Sequence, residues 1–209
     1  MFNTKKIFTI LMGCLLSANL VLAAALMPNT PAVCNNVSTW LKPGGDKVLA
    51  TPAQIQGMNK AMLSTTMSDL AKQPATMSGN TLKGYLNAYT MEYDQYINGS
   101  RMSEGFAKSL LADAYGNIPP SAPVKYGVVV SRSDLRSFPT LARAFDSPCD
   151  TKFDNWQETA VDPGSPALIL HKNTKGNFVF VQLPSYRGWL PANKVAVTDR
   201  KTWLEFAEP

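Results

Sequence analysis

Hydrophobic and polar residues follow one another along this chain with two different periods. Between positions 51 and 117 the apolar residues recur every three or four residues, the spacing that places them on one face of a helix. From position 125 onward they gather in short runs separated by turn-forming residues, which is typical of β-strands. The pattern therefore predicts an α+β protein, in which a helical N-terminal region is followed by a small antiparallel β-barrel.

Three helices are predicted in the N-terminal region. The first begins where Thr51 precedes Pro52, because threonine is a good N-cap and proline suits the first helical position. The second is predicted over 81–97, closed by an Asn-Gly pair, and the third over 103–115. Apolar stripes at helical spacing usually pack in a core, so we expect these side chains to be buried: Ile55, Met58, Met62, Met67, Leu70, Leu82, Tyr85, Leu86, Tyr89, Tyr93, Tyr96, Phe106, Leu110, Leu111 and Ala114.

Four β-rich runs follow a proline-rich stretch. Residues 118–123 read IPPSAP, a stiff segment that cannot continue a helix, so it marks a boundary. Beyond it lie YGVVVS, ALILH, FVFVQL and KVAVT, and the turn NTKGN joins the second run to the third as a hairpin. We therefore divide the chain after its N-terminus into a linker or extended arm (26–50), a helical region (51–117), a barrel (124–200) and a C-terminal tail (201–209).

The first 25 residues have the composition of a secretory signal peptide. Lys5 and Lys6 precede an uncharged apolar run that ends in small residues at 23–25. The run is a poor permanent membrane span, because a serine, an asparagine and a cluster of alanines interrupt it. We expect cleavage near residue 25 and export to the periplasm or the cell surface. The alternative is a lipoprotein acylated at Cys14.

The chain is mildly basic and has few cysteines. Its formal net charge is +5 at pH 7, spread without a block of Lys or Arg, so we expect no nucleic-acid partner. After signal cleavage two cysteines remain, Cys34 and Cys149, in a compartment that permits oxidation. They either form a disulfide or stay as two buried, unreactive thiols.

A catalytic or metal centre has few candidate residues. A cysteine hydrolase needs a histidine to activate the thiol, and His171 is the only histidine in the chain. Cys149 and His171 are thus the one candidate dyad, although His171 ends the ALILH run, where we expect it to point to solvent at the rim of the barrel. Because the sequence has no CxxC or HxxxH spacing, we expect no metal and no cofactor.

Several motifs link the chain to a known family. Residues 164–197 contain a strand, a polar hairpin, a second strand and Gly188-Trp189, and they resemble bacterial SH3-like (SH3b) domains. Together with DLRSFPT at 134–140, QET at 157–159 and the helical region, they resemble the N-terminal stabilising region and first SH3-like domain of NlpC-type cell-wall cysteine peptidases. We expect Gly188 to allow a tight turn at the rim and Trp189 to cover the open end of the core.

The resemblance implies a role at the cell wall without catalysis by this chain. The peptidases that it resembles carry their catalytic cysteine and histidine on a separate C-terminal domain, and we expect that domain to be absent because the sequence ends at position 209. The expected partners are peptidoglycan or its stem peptides, and the same surface could dock a wall peptidase domain. The alternatives are a cryptic cysteine hydrolase using Cys149 and His171, or a protein that recognises another exported protein through its helices.

Seven side chains of the barrel are candidates for its binding surface. Aromatic faces pack on sugar rings or peptide stems, and arginine binds a carboxylate through two parallel hydrogen bonds. Phe138 and Trp189 could instead be core residues, and Arg136 could tie its loop to Asp134 or Glu158. The candidates are Arg136, Ser137, Phe138, Trp156, Tyr186, Arg187 and Trp189.

Overall fold

The protein is described here from a computed structural model that covers residues 31–41 and 43–207. The chain divides into two compact units, Met1–Pro52 and Ala53–Pro209. The predicted signal peptide and the alternative lipidation site lie outside the described residues.

The described residues of the first unit form short turns rather than long elements. Two 3₁₀ helices span Ala32–Asn35 and Val37–Thr39. The indole N–H of Trp40 donates a hydrogen bond to the carbonyl of Cys34 at 2.9 Å, which closes this short segment on itself. The assignment of 26–50 to a linker or extended arm stays a prediction.

Four α-helices are present in the described residues, the first of them beginning at Pro52. Two of them begin at a serine, the residue type whose hydroxyl best satisfies a free backbone N–H at a helix start. The Oγ of Ser78 accepts from the N–H of Thr81 at 3.1 Å, and the Oγ of Ser103 accepts from the N–H of Phe106 at 3.2 Å. The helices are α1 (Pro52–Thr65), α2 (Gly79–Leu86), α3 (Glu104–Tyr115) and α4 (Arg200–Ala207).

Twelve strands of the described chain form three antiparallel sheets. The strands are β1 (Thr76–Ser78), β2 (Tyr96–Ile97), β3 (Ser100–Arg101), β4 (Ser121–Pro123), β5 (Lys125–Val129), β6 (Ser133–Arg136), β7 (Ala144–Phe145), β8 (Gln157–Val161), β9 (Pro166–Lys172), β10 (Phe178–Gln182), β11 (Arg187–Pro191) and β12 (Val195–Thr198). Seven of them form one sheet in the order β12-β5-β9-β10-β11-β6-β8. The others form a pair, β1-β4, and a small sheet in the order β3-β2-β7.

The seven-stranded sheet wraps around one hydrophobic cluster. Every strand of the sheet contributes to this cluster, and the edge strands β8 and β12 supply Val161 and Val195. Because both edges reach the same cluster, the sheet surrounds its core as an SH3-like barrel that is not fully closed. The prediction of an α+β protein with an antiparallel SH3-like barrel is confirmed. The NTKGN turn joins β9 to β10 as predicted.

A second hydrophobic cluster joins the barrel to the helices. Successive residues of β10 point to opposite faces of the sheet, so Val181 lies in the barrel core while Phe180 lies in this second cluster. There Phe180 packs with Trp189 of β11, Leu82 of α2 and Ala114 of α3. The helices and the barrel therefore share a core within the second unit.

The C-terminal residues also pack on the barrel. The sequence predicted a tail over 201–209, whereas α4 occupies most of that stretch and Trp203 is only 1% exposed. The indole N–H of Trp203 donates to the carbonyl of Gly127 on β5 at 2.9 Å. The division of this unit at 118–123 into a helical region and a barrel stays a prediction, because residues on both sides of it enter the same cluster.

The second predicted helix is wrong in its extent. It was expected over 81–97, but α2 ends at Leu86. Asn98 and Gly99, with φ angles of 52° and 78°, form the two-residue turn of a hairpin between β2 and β3. An Asn-Gly pair suits both a helix end and a tight hairpin, and here β2 is fixed as a strand because it also pairs with β7. Tyr93 is consequently 49% exposed rather than buried.

The apolar stripe of α1 is also not in a core. Ile55, Met58 and Met62 are 48%, 62% and 44% exposed. Helical periodicity shows that a helix has an apolar face, but it does not show that another element covers that face. No helix in the described part of the chain is both long enough and apolar enough to cross a membrane.

Gly188 and Trp189 have different roles from those expected. Gly188 lies within β11 rather than at a turn, and a Cβ atom there would come within 2.8 Å of Leu135 Cγ and 2.9 Å of the Arg136 carbonyl oxygen. The glycine is thus required by the close approach of β6. Trp189 is 1% exposed in the cluster between barrel and helices, so it does not cover an open end of the barrel core.

Candidate functional site

Arg136 is a buried anchor of the long loop that follows β6. Its side chain is 2% exposed, and its Nη1 donates to a carboxylate oxygen of Asp154, which is equally buried. The other N–H groups donate to backbone carbonyls of the same loop. The expected partners Asp134 and Glu158 are therefore wrong, because Asp154 takes that place. A guanidinium enclosed in this way cannot receive a carboxylate from a ligand.

Three of the predicted aromatic binding residues lie in the protein core. Phe138 and Trp156 are 3% and 2% exposed, with ring centroids 5.2 Å apart at an angle of 67°. Phe106 of α3 lies nearly parallel to Trp156, with centroids 6.4 Å apart. Trp189 is buried between barrel and helices, as its alternative assignment as a core residue predicts. These rings pack against other rings of the protein, so they offer no open face to a ligand.

A cleft of about 310 Å³ opens beside these buried rings. One wall is the segment between α2 and β2, and the other is formed by the loop after β6 and the start of β8. The Oγ of Ser137 donates to Oε1 of Glu158 at 2.5 Å across the second wall. We call this feature the acidic cleft; its chemically important lining residues are Tyr89, Glu92, Gln95, Ser137, Phe138, Trp156 and Glu158.

The charges that line the acidic cleft are negative. Glu92 and Glu158 are exposed, and no lysine or arginine of the described residues lines the cleft. The phenol of Tyr89 donates to the carbonyl of Arg187. Burial, and then the negative charge of Glu158, raise the pKa of Tyr89 to about 12, so the phenol keeps its proton at neutral pH. The cleft therefore complements a cation or a group rich in hydrogen-bond donors.

One buried acceptor in this cleft has no partner. The Nε2 of Gln95 donates to Oε2 of Glu92 at 3.3 Å, whereas Oε1 of Gln95 is buried and accepts no hydrogen bond. Leaving a buried acceptor unpaired costs about 1–3 kcal/mol. Gln95 is only 5% exposed, so it cannot turn to water to satisfy this acceptor. The folded protein therefore carries this free-energy cost in the wall of the cleft.

Neither Tyr186 nor Arg187 lines the acidic cleft, although Arg187 is next to Tyr89 and its positive charge opposes the rise in the pKa of that phenol. Tyr186 is 46% exposed and lines a different cleft of about 310 Å³, with Met67 and Asp162. The guanidinium of Arg187 lies over the ring of Tyr85, 3.5 Å from its centroid, and Nε donates to Gln182 Oε1 at 2.6 Å. The structure thus brings together only three of the seven predicted binding residues, Ser137, Phe138 and Trp156.

Sequence reasoning missed half of the acidic cleft. Tyr89, Glu92 and Gln95 come from a segment that was assigned to a helix, so its path as a loop beside the segment after β6 was not predicted. Glu158 was quoted within the motif QET and as a partner of Arg136, but it was not among the seven binding candidates. The Asn-Gly pair after this segment was the signal that could have identified a hairpin and a preceding loop.

The alternative dyad of Cys149 and His171 is not formed in the structure. Cys149 is exposed, whereas His171 is buried and its ring lies against Trp189 with centroids 5.9 Å apart. The Nε2 of His171 is buried without a hydrogen-bond partner, and burial lowers the pKa of this imidazole. The expectation of a solvent-exposed rim histidine is also wrong, because the ring turns into the interface with the helices.

The cysteines and the acidic residues form no metal site in the described residues. Cys34 is half-buried and Cys149 is exposed, and both are free thiols. The disulfide between them stays a prediction. Within residues 31–41 and 43–207 no group of three His, Cys, Asp or Glu side chains is placed to hold a metal ion.

Two kinds of comparison with known proteins find similarity to parts of this architecture. Residues 143–191 match the family model of the SH3 domain of SH3b1 type. A solved NlpC/P60 endopeptidase from Photobacterium damselae subsp. piscicida has a similar fold, with a TM-score of 0.57 and 20% sequence identity over 76% of this chain. The match covers 40% of that chain, so the present protein spans less than half its length. No curated protein matches this chain. The predicted SH3b resemblance is confirmed.

Proposed function

We propose, from the segment of SH3b1 type and the acidic cleft beside it, that this chain is an exported, non-catalytic module that binds peptidoglycan through its stem peptides. The observation that carries the proposal is the acidic cleft itself, which places the two carboxylates of Glu92 and Glu158 around one space. The fold shared with an NlpC/P60 endopeptidase supports a role at the cell wall.

The charge of the cleft selects the part of the stem peptide that would bind. Arg136 is enclosed, so the carboxylates of a stem have no free guanidinium to bind in this cleft. Stem peptides also carry the amino group of a diamino acid. An ammonium group has three donors, which matches Glu92, Glu158 and other oxygens around the cleft. Hydrogen bonds of this kind are charge-assisted and are about twice as strong as neutral ones.

The size of the cleft limits how much of the ligand it holds. Its volume of about 310 Å³ is at the lower end of the range of about 300–1,000 Å³ that is typical of small-molecule sites. The edges of Tyr89 and Trp156 provide apolar contact for the carbon chain next to the ammonium group. One amino-acid residue of a stem would therefore occupy the cleft, with the rest of the polymer outside.

A second candidate function is recognition of another exported protein by α1. The observation that favours it is the exposed apolar stripe of that helix, which includes two methionines with adaptable side chains. A wall binder and a protein binder behave differently with purified cell walls, because only the wall binder sediments with them.

Co-sedimentation with purified sacculi tests the proposal. The protein is expected in the pellet, and the double substitution Glu92→Gln and Glu158→Gln should weaken binding about tenfold by removing the charge from the hydrogen bonds. The matched control is Glu104→Gln and Glu205→Gln, which removes the same charge from exposed side chains outside the cleft. The control variant should bind as the wild type does, since exposed ion pairs of this kind contribute little.

Two outcomes would contradict the proposed function. Equal retention of both double variants would show that the acidic cleft takes no part in binding. A wild-type protein that stays entirely in the supernatant would exclude the wall as its partner and would leave recognition of a protein by α1 as the better account.

A further inference from the structure

The barrel core is accessible to solvent at one end. Half of the buried residues of the inner cluster are sealed, as Val181 and Leu190 are at 0% exposure. Ile169, Val179 and Val195 are each 7% exposed, and all three line a cavity of about 470 Å³. The three most exposed residues of this cluster therefore lie at one cavity, which we call the barrel mouth.

The walls of the barrel mouth continue the apolar surface outward. Ala122 precedes β5, Ala192 follows β11, and Val197 of β12 is 63% exposed. A cavity of this volume lies within the range of about 300–1,000 Å³ that is typical of ligand sites, and barrel mouths are frequent locations for them. An apolar chain that entered here would cover the exposed part of the core and these three side chains, which is favourable because apolar surface leaves water.

The charges around the barrel mouth are positive. Lys125 and Lys172 line it, and among the described residues no aspartate or glutamate does. Both lysines are exposed, and neither takes part in a salt bridge of the described residues. His171 also lines the mouth, although its ring packs against Trp189. The mouth thus combines an apolar floor with cationic groups, which complements an anionic amphiphile.

We propose that the barrel mouth binds a small amphiphile with one carboxylate and an unbranched apolar chain, such as a monomeric fatty acid. The apolar chain of the ligand lies against Ile169, Val179 and Val195. Its carboxylate lies near Lys125 and Lys172. This site shares no lining residue with the acidic cleft, so it is independent of peptidoglycan binding.

An NMR titration with sodium octanoate tests the proposal. Saturable shifts are expected at the backbone amides of Ile169, Val195 and Val197. Parallel titrations with 1-octanol and octylamine vary only the head group. Octanoate should bind most tightly, 1-octanol more weakly, and octylamine most weakly because the two lysines repel its ammonium group.

Two variants measure separately how the ligand's apolar chain and its carboxylate contribute to binding. Val197→Trp should fill the mouth and abolish octanoate binding, and the matched control is Val130→Trp, at a site that is 54% exposed and outside the cavity. The double substitution Lys125→Gln and Lys172→Gln should weaken octanoate binding about fivefold, as expected for exposed charge pairs, and leave 1-octanol binding unchanged.

Several results would overturn the proposal. Shifts that do not saturate, or that map outside the barrel mouth, would show that octanoate has no site here. Octylamine binding as tight as that of octanoate would show that the lysines do not select the ligand. Tighter binding of N-acetyl-Gly-Val-Leu, which ends in a free carboxylate, than of octanoate would assign the mouth to a peptide end instead of a fatty acid.

Discussion

Arg136 and Asp154 form an ion pair in which both side chains are only 2% exposed, although 18 residues separate them in the chain. The other carboxylate oxygen of Asp154 accepts from the backbone N–H groups of Ala144 and Trp156, each at 3.1 Å. The pair therefore fixes both ends of the loop after β6. Because that loop carries Trp156 and faces the acidic cleft, the geometry of the cleft depends on it.

Removing one partner of this pair should be strongly destabilising. Arg136→Met leaves the carboxylate of Asp154 buried without its main counter-ion, which typically costs about 3–5 kcal/mol. The measurement is the free energy of unfolding in urea. The control is Arg132→Met, because Arg132 pairs with Asp162 at the surface, where both side chains are 67% exposed, and such a pair contributes about 1 kcal/mol or less. Similar losses in the two variants would contradict the structural role of the buried pair.

A methyl group at Gly188 should destabilise the barrel, whereas the same change at Gly84 should not. A Cβ atom at Gly188 would overlap Leu135 and the Arg136 carbonyl, so Gly188→Ala should cost about 1–3 kcal/mol through overpacking. Gly84 lies in α2 with open space around it, and alanine there should stabilise the helix by about 0.5–1 kcal/mol. Thermal unfolding of both variants measures the difference. A tolerated Gly188→Ala would show that β6 and β11 are less closely packed than described.

His171 should make the folded protein less stable in mild acid. Burial is the main cause of its lowered pKa and outweighs the nearby carbonyls of Ala114 and Gly116, which favour the protonated ring. A histidine with a lowered folded pKa contributes stability above its unfolded pKa of about 6.5, and this stability is lost as the pH falls through the folded pKa. The free energy of unfolding should therefore decrease between pH 7.5 and about 5.5, by no more than about 1.4 kcal/mol per pH unit.

The variant His171→Leu isolates this effect, because the chain has no other histidine. It replaces a buried imidazole whose Nε2 has no partner by an apolar side chain, so it should be close to neutral at pH 7.5 and should lack most of the decrease at lower pH. A wild-type protein whose stability is constant over this interval, or a variant with the same decrease, would contradict the buried position of His171.

The barrel could be predicted from the sequence because its signals are local. Alternating apolar runs specify strands, and the glycine of NTKGN, Gly176, adopts the positive φ of 76° that a tight turn requires. The signal at Asn98-Gly99 is equally local but ambiguous, since the same pair ends helices and forms hairpins. The hairpin forms because β2 pairs with β7, and β7 lies more than 40 residues further along the chain.

The candidate site was less predictable because it depends on burial and on distant partners. The sequence identified Trp156 and Ser137 near the site, but nothing in DLRSFPT shows that Arg136 is enclosed by Asp154. Similarly, the periodicity of α1 does not show that Met58 remains exposed. These properties arise only when segments far apart in the sequence pack against one another.

The most direct test of the central claim is an NMR titration of the acidic cleft with a stem tetrapeptide that contains a diamino acid, in its free-amine and N-acetylated forms. The account predicts saturable shifts at Ser137 and Trp156 with the free-amine peptide and at least tenfold weaker binding of the acetylated form, which has lost its charge. Equal binding of the two peptides, or shifts that map away from Ser137 and Trp156, would contradict recognition of a stem amine by this cleft.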